Sequence, residues 1–246
     1  MATDFRIVIP ARYASQRLPG KPLRDINGKP MIEWVYLAAC QVEASEVVVA
    51  TDDQRIADAV AGFGGNACLT DSAHRSGTDR ILEVTQKLNW STDTIVVNLQ
   101  GDEPLMPSVN ISQVAQLLAR RDCDMATLHK PIDADAAADP NLVKLVLDKD
   151  GRALYFSRSV IPFDRSGESD RYLGHIGIYA YRVGFIETFS ALAPAELELA
   201  ESLEQLRALA NGYSIYSEPA KAAPGPGIDT EQDLAKVTEL MAPKPA

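Results

Sequence analysis

At 246 residues the chain can bury a substantial core as one large domain, and 46% hydrophobic with 24% charged residues is a globular rather than a disordered composition. A formal net charge of -10 at pH 7 argues against nucleic acid as a partner, because the bulk field repels phosphate backbones. No apolar run approaches the roughly 18 residues of a membrane span, Asp4 and Arg6 interrupt a signal-peptide pattern, and Cys40, Cys68 and Cys123 lack metal or disulfide spacing.

In chain order, Phe5 to Ile9 reads as a short apolar strand, and Pro30 opens a helix that runs to Cys40. "EVVVAT" (Glu46 to Thr51) is a continuous β-branched run of the kind buried on both faces. Asp52 or Asp53 can cap the next helix, whose Ile56, Val60 and Phe63 repeat at helical spacing before Gly64-Gly65 ends it. A strand over Ala67 to Leu69 and a helix from about Thr78 to Leu88 follow. "DTIVVNLQ" (Asp93 to Gln100) is another buried strand, and Pro107 or Ser108 starts a further helix. This βαβα order predicts an α/β fold with a mostly parallel, doubly wound sheet.

The pattern then changes. "VKLVLDKDGRALYFSR" predicts a hairpin turning at Lys149-Asp150-Gly151, and "GHIGIYAYR" a further strand. Helices are expected near Phe185 to Leu192 and over Leu197 to Asn211, the latter with Leu199, Leu203, Leu206 and Ala210 as its apolar stripe. "AAPGPGIDT" is a loop that delivers Asp229 to the start of a last helix. No repeat or low-complexity linker divides the chain, so a single domain over residues 1–246 with an antiparallel appendage is expected.

The candidate site begins in the opening loop. "PARYASQRLPGKPL" sets Arg12, Arg17 and Lys21 at the end of the first strand with no carboxylate between them. Ligands gather at such strand ends in open α/β sheets, and guanidinium forks and ammonium groups suit phosphate oxygens. The loop has neither a GxGxxG nor a Walker spacing, and three solvated surface cations are the plain alternative. In "NLQGDEPL" a buried strand ends at Gln100, Gly101 permits a tight turn, and Asp102 projects at the strand end. A carboxylate there can bind Mg2+ together with substrate phosphates. Equally, Asp102 and Glu103 can form a turn or cap the helix near Ser108. Asp229 has the same two readings, metal carboxylate or helix cap. Together the cations and the two aspartates can converge on one triphosphate with its metal.

With "ATDD", "SGTDR", "ALYFSR", "HIGIYAYR", "ESLEQLR" and "GIDT" following in order along nearly the whole chain, the sequence resembles the 3-deoxy-manno-octulosonate (Kdo) cytidylyltransferases, the bacterial CMP-Kdo synthetases of lipopolysaccharide biosynthesis. The resemblance implies a nucleotide-diphospho-sugar transferase fold. Its nucleotide-binding part would cover about residues 1–130 and its sugar-binding and dimerisation part about 131–225, with the C-terminal helix returning to the core. It also implies CTP and Kdo as substrates, CMP-Kdo and pyrophosphate as products, Mg2+ as cofactor, and a cytoplasmic homodimer without membrane insertion. By the family pattern Arg12 and Lys21 hold the triphosphate, with Arg17 nearby. Ser76, Gly77, Thr78 and Arg80 lie by the nucleotide, Arg80 within reach of cytosine, and Asp102 and Asp229 bind the metal. Gln100, Arg158, His175, Tyr179, Glu204 and Gln205 line the sugar pocket, where Arg158 would grip the sugar carboxylate.

Without the family, His175 reads as a satisfied strand histidine, Tyr179 as core, and Glu204 with Gln205 as a solvated helix face. The rival functions are a cytidylyltransferase for another acidic sugar (an 8-amino Kdo or a sialic acid), a non-catalytic nucleotide-binding module, and an NAD-dependent dehydrogenase. The missing glycine fingerprint disfavours the dehydrogenase.

Overall fold

The structure, a computed structural model, describes residues 3–14, 17–74, 76–167 and 171–242. Strand β1 (Arg6–Ala11) leads through the opening loop and a small hairpin, β2 (Asp25–Ile26) and β3 (Lys29–Pro30), into α1 (Met31–Ala39). Then come β4 (Glu46–Thr51), α2 (Gln54–Gly62), β5 (Ala67–Leu69), α3 (Gly77–Lys87), β6 (Ile95–Asn98) and α4 (Ser108–Arg120). β7 (Met125–Ile132), the short α5 (Ala134–Ala137), the hairpin β8 (Lys144–Leu147) and β9 (Ala153–Ser157), and the long β10 (Tyr172–Arg182) follow. The chain closes with α6 (Val183–Ala191), α7 (Glu196–Glu201), α8 (Gln205–Ala210), β11 (Ile215–Pro219) and α9 (Glu231–Leu240).

The main sheet runs β11-β7-β10-β6-β1-β4-β5, with the β8–β9 hairpin attached through β10. β1 pairs in parallel with β4 and β6, β4 with β5, and β7 with β11, while β10 is antiparallel to both β6 and β7. Strand alternation sends successive residues to opposite cores. Ile7, Ile9, Val47, Val49 and Val97 join helices α1, α2 and α4 on one face. Val8, Val48, Ala50 and Val96 join α3, α6 and α8 on the other. Burial on both sides is why these strands are unbroken β-branched runs.

Three expectations are revised. β10, read as part of an antiparallel appendage, lies inside the main sheet, and only the β8–β9 hairpin projects from it. β7 and β11 extend the sheet beyond the strands that periodicity predicts. The single helix over Leu197 to Asn211 is two helices, α7 and α8, broken at Ser202 in the left-handed region (φ 51). The break brings Glu198 onto Arg207 at 2.8 and 2.5 Å, a buried pair. Nine residues along a straight helix would hold the two about 13 Å apart and on opposite faces. Leu203 and Leu206 are buried, but Leu199 and Ala210 are exposed, so the stripe is only half right.

A third cluster decides the position of the last helix. Leu234 and Val237 of α9 pack with Ile228 against Leu18, Ile26 and Met31, so the C-terminal segment closes over the opening loop.

Candidate active site

β1, β4 and β6 point the same way, so the loops leaving them meet at one edge of the sheet. Gly101, on the loop after β6, is held there by crowding rather than by an unusual backbone angle. A Cβ on it would lie 2.8 Å from the Pro10 carbonyl oxygen, so only glycine lets this loop pack on the end of β1. Opposite, Gly20 at φ 64 turns the opening loop into the short turn that carries Lys21. The Lys21 ammonium donates to Asp102 Oδ2 at 2.6 Å, Asp229 Oδ1 at 3.0 Å and the Ile228 carbonyl at 3.0 Å. Arg17 reaches the other Asp229 oxygen at 3.1 Å.

Arg12, Arg17, Lys21, Gly77, Gln100, Asp102 and Asp229 line one cleft of about 480 Å3. Among the described residues Arg12 makes no ion pair, so its charge stands open toward an anion. Burial pulls the Lys21 ammonium down, but Asp102 and Asp229 outweigh it and leave the pKa raised. The neighbouring Glu103 is pushed up to about 7 by its partial burial and by Asp102 and Asp229 beside it. Asp229 is not the helix cap. Thr230 Oγ1 accepts from the Asp233 N–H at 3.2 Å, and Asp233 Oδ2 accepts from the Thr230 N–H at 2.9 Å. That capping box leaves the Asp229 carboxylate to face the cleft, where Lys21 and Arg17 hold it.

Two carboxylates converging on one cationic position, 33% and 50% exposed, fit a magnesium ion that takes its remaining ligands from phosphate and water. Among the described residues no group of three or more His, Cys, Asp and Glu side chains forms a cation cage. The donor set therefore suits a metal that arrives with a phosphate ligand, not one held by protein alone.

The other expected residues divide. Ser76 caps α3 by accepting from the Asp79 N–H at 3.1 Å, which opens that helix at the cleft. Thr78, Gln100, Tyr179, Glu204 and Gln205 line a separate cavity of about 60 Å3, with Gln100 shared between it and the cleft. His175 instead lines a second cleft of about 770 Å3, together with Lys130, Asp139 and Asn141. Arg17, Asp102 and Asp229 border both clefts. The His175 ring receives or donates a 3.0 Å bond at Thr127 Oγ1, beside an irregularity where β10 carries extra residues between Ile176 and Tyr179. Burial, with His129 beside it, pushes its pKa down to about 3, so the imidazole is neutral.

Two expected site residues are engaged elsewhere in this structure. Arg80 is 0% exposed, its two terminal guanidinium nitrogens bonded to Asp52 at 2.8 Å and to Thr70, so it braces the loop after β4 instead of facing a base. Arg158 donates to the carbonyls of Glu201 (2.7 Å), Pro140 (3.0 Å) and Ser202 (3.4 Å) and lines none of these cavities. Its fork is occupied by backbone, not open to a carboxylate. Sequence reading passed over Asn98, which accepts from Gln100 Nε2 at 2.9 Å, and Tyr181 on the cavity wall. The i, i+2 spacing of Tyr179 and Tyr181 was the available signal for the second of these.

The chain matches the family model described as Cytidylyltransferase over residues 6–215. It is 54% identical over 249 residues to the 3-deoxy-manno-octulosonate cytidylyltransferase of Vibrio vulnificus (strain CMCP6), covering 98% of this chain and 99% of that one. It is 51% identical to the Haemophilus influenzae (strain KW20 / Rd) protein of the same name, covering 97% and 99%. Its fold matches a solved CMP:2-keto-3-deoxy-manno-octonic acid synthetase complexed with CTP, with a TM-score of 0.92, 49% identity, and 97% and 98% of the two chains covered.

Proposed function

The chain belongs to the 3-deoxy-manno-octulosonate cytidylyltransferase family, and from that premise we propose that it transfers CMP from CTP to Kdo, giving CMP-Kdo and pyrophosphate for lipopolysaccharide assembly. The observation that carries the reading is the cleft where Arg12, Arg17 and Lys21 meet Asp102 and Asp229. In the reaction the anomeric hydroxyl of the sugar attacks the α-phosphorus of CTP, a new P–O bond forms, and the bond to pyrophosphate breaks. Positioning and charge neutralisation dominate such transfers. Arg12 and Lys21 hold the leaving phosphates, with Arg17 at the rim. Ser76, Gly77 and Thr78 bring the start of α3 to the nucleotide. Asp102 and Asp229 would hold Mg2+, which supplies Lewis-acid stabilisation of the charge developing on the phosphates. Gln100, Tyr179, Glu204 and Gln205 position the sugar, with His175 on the neighbouring wall.

Within this reading residues 1–130 serve the nucleotide, about 131–225 the sugar and a second copy, and α9 closes the opening loop. The dimer is proposed through the exposed apolar residues of the hairpin region and α7, Leu154, Val160, Phe163, Leu197 and Leu199. No helix among the described residues is long and apolar enough to cross a membrane, and a CTP-using enzyme of this kind would work in the cytoplasm. The test is pyrophosphate release from CTP with Kdo, with an 8-amino Kdo, with a sialic acid and without sugar. Release that depends on Kdo is expected. Equal or greater release with another acidic sugar would reassign the substrate, and no release with any sugar would overturn the enzymatic reading.

A further inference from the structure

The 60 Å3 cavity beyond Gln100 has an uneven lining. Phe185, Ile186 and Phe189 make one wall apolar, while Thr78, Tyr181 and Glu204 present oxygens from the other. Two of those oxygens are buried and have no hydrogen-bond partner among the described residues: the Tyr181 hydroxyl and Glu204 Oε1. Tyr181 is 2% exposed, and although Asn98 and Thr78 lie close to its hydroxyl, neither forms a bond of proper geometry with it. The second Glu204 oxygen is already engaged, accepting from Thr78 Oγ1 at 2.9 Å, and the Ser76 hydroxyl lies close to the same carboxylate without forming a bond to Oε1.

Leaving a buried polar atom unpaired costs roughly 1–3 kcal/mol, so two on one small wall call for a hydrogen-bonding partner. Their chemistry specifies it. A phenol donates, a carboxylate oxygen accepts, and an alcohol can satisfy both at once by accepting from the first and donating to the second. A methyl group would leave both unpaired, and the apolar wall leaves no room for a hydrated charged group. The volume suits one hydroxyl-bearing carbon or a few waters.

We propose that the Tyr181 hydroxyl and Glu204 Oε1 together read one hydroxyl on the polyol tail of the sugar acid, which makes Tyr181 a specificity-determining residue. This rests on the sugar-acid reading above and adds to it the group recognised. The test compares wild type with Tyr181→Phe, which removes one oxygen and keeps the ring, on Kdo and on Kdo analogues each lacking one tail hydroxyl. Wild type should discriminate against one of these analogues by about 10-fold to 100-fold in kcat/KM, and against the others much less. Tyr181→Phe should raise KM for Kdo about 10-fold, leave KM for CTP unchanged, and shrink the penalty on that same analogue to a few-fold. An unchanged KM for Kdo, or an equal loss on every analogue together with a lowered Tm, overturns the proposal and makes Tyr181 a packing residue. Absence of wild-type turnover with every sugar overturns the sugar-acid reading itself, and the proposal with it.

Discussion

Lys21 holds Asp102 and Asp229 on a single ammonium, so neither aspartate can change without altering the charge the other feels. Because Thr230 and Asp233 cap α9, Asp229→Asn should leave the helix and the Tm nearly unaltered. It should still lower turnover by about 100-fold or more, the usual effect of losing one preorganised charge at a reacting centre. Turnover across a magnesium titration, paired with a melting curve, checks both halves. Normal turnover of Asp229→Asn at low magnesium would remove Asp229 from the metal site. At this scale the sequence was informative where charge itself was the signal. Three cations without a carboxylate stand together in an acidic chain, and Arg12, Arg17 and Lys21 do line one cleft. It was uninformative where function depends on what a side chain's donors meet. Arg80 and Arg158 look alike in sequence to phosphate-binding or carboxylate-binding arginines, yet one is spent on Asp52 and Thr70 and the other on three carbonyls.

Elements and their connections carry the next level of control. Lys144, 0% exposed on β8, donates to the carbonyls of Asp139 (2.9 Å), Leu142 (2.7 Å) and Arg158 (2.6 Å). Arg158 meanwhile holds the carbonyl of Pro140, so two cations clamp the 139–142 loop that walls the second cleft. Burial lowers the Lys144 pKa, with Asp139 opposing, and the three carbonyls take the place of the lost water. Lys144→Met keeps the stem but strands three acceptors, so a loss of about 2–4 kcal/mol is expected, read by denaturant unfolding. A change below about 0.5 kcal/mol would mean that the loop carbonyls find water without the clamp. Periodicity revealed β1, β4 and β6 because burial on both faces leaves β-branched runs. It did not reveal β7, where His129 and Lys130 interrupt the run, or β11, where Tyr216 and Glu218 alternate with buried Ile215 and Ser217. The break at Ser202 was hidden for a different reason. The tertiary pair of Glu198 with Arg207 overrides an apolar spacing that continues through it.

At the scale of the whole molecule the acidic field and the exposed apolar residues oppose each other. Each chain carries -10, so two copies approaching one another repel. Phe163 is 87% exposed and Leu199 67%, a large cost for a protein that stays monomeric. If a second copy covers these residues, association is apolar in origin and held back by charge. Raising salt shortens the screening length from about 10 Å at 0.1 M to about 3 Å at 1 M, which weakens the repulsion but not the apolar contact. Sedimentation should therefore give twice 26.7 kDa, with dimerisation tightening as salt rises. The double variant Phe163→Asp, Leu199→Asp should sediment at 26.7 kDa with an unchanged melting curve, because neither side chain supports the core. A dimer that loosens in salt would instead point to an ionic interface elsewhere. A wild type that stays monomeric at high salt would leave this apolar surface to a different partner.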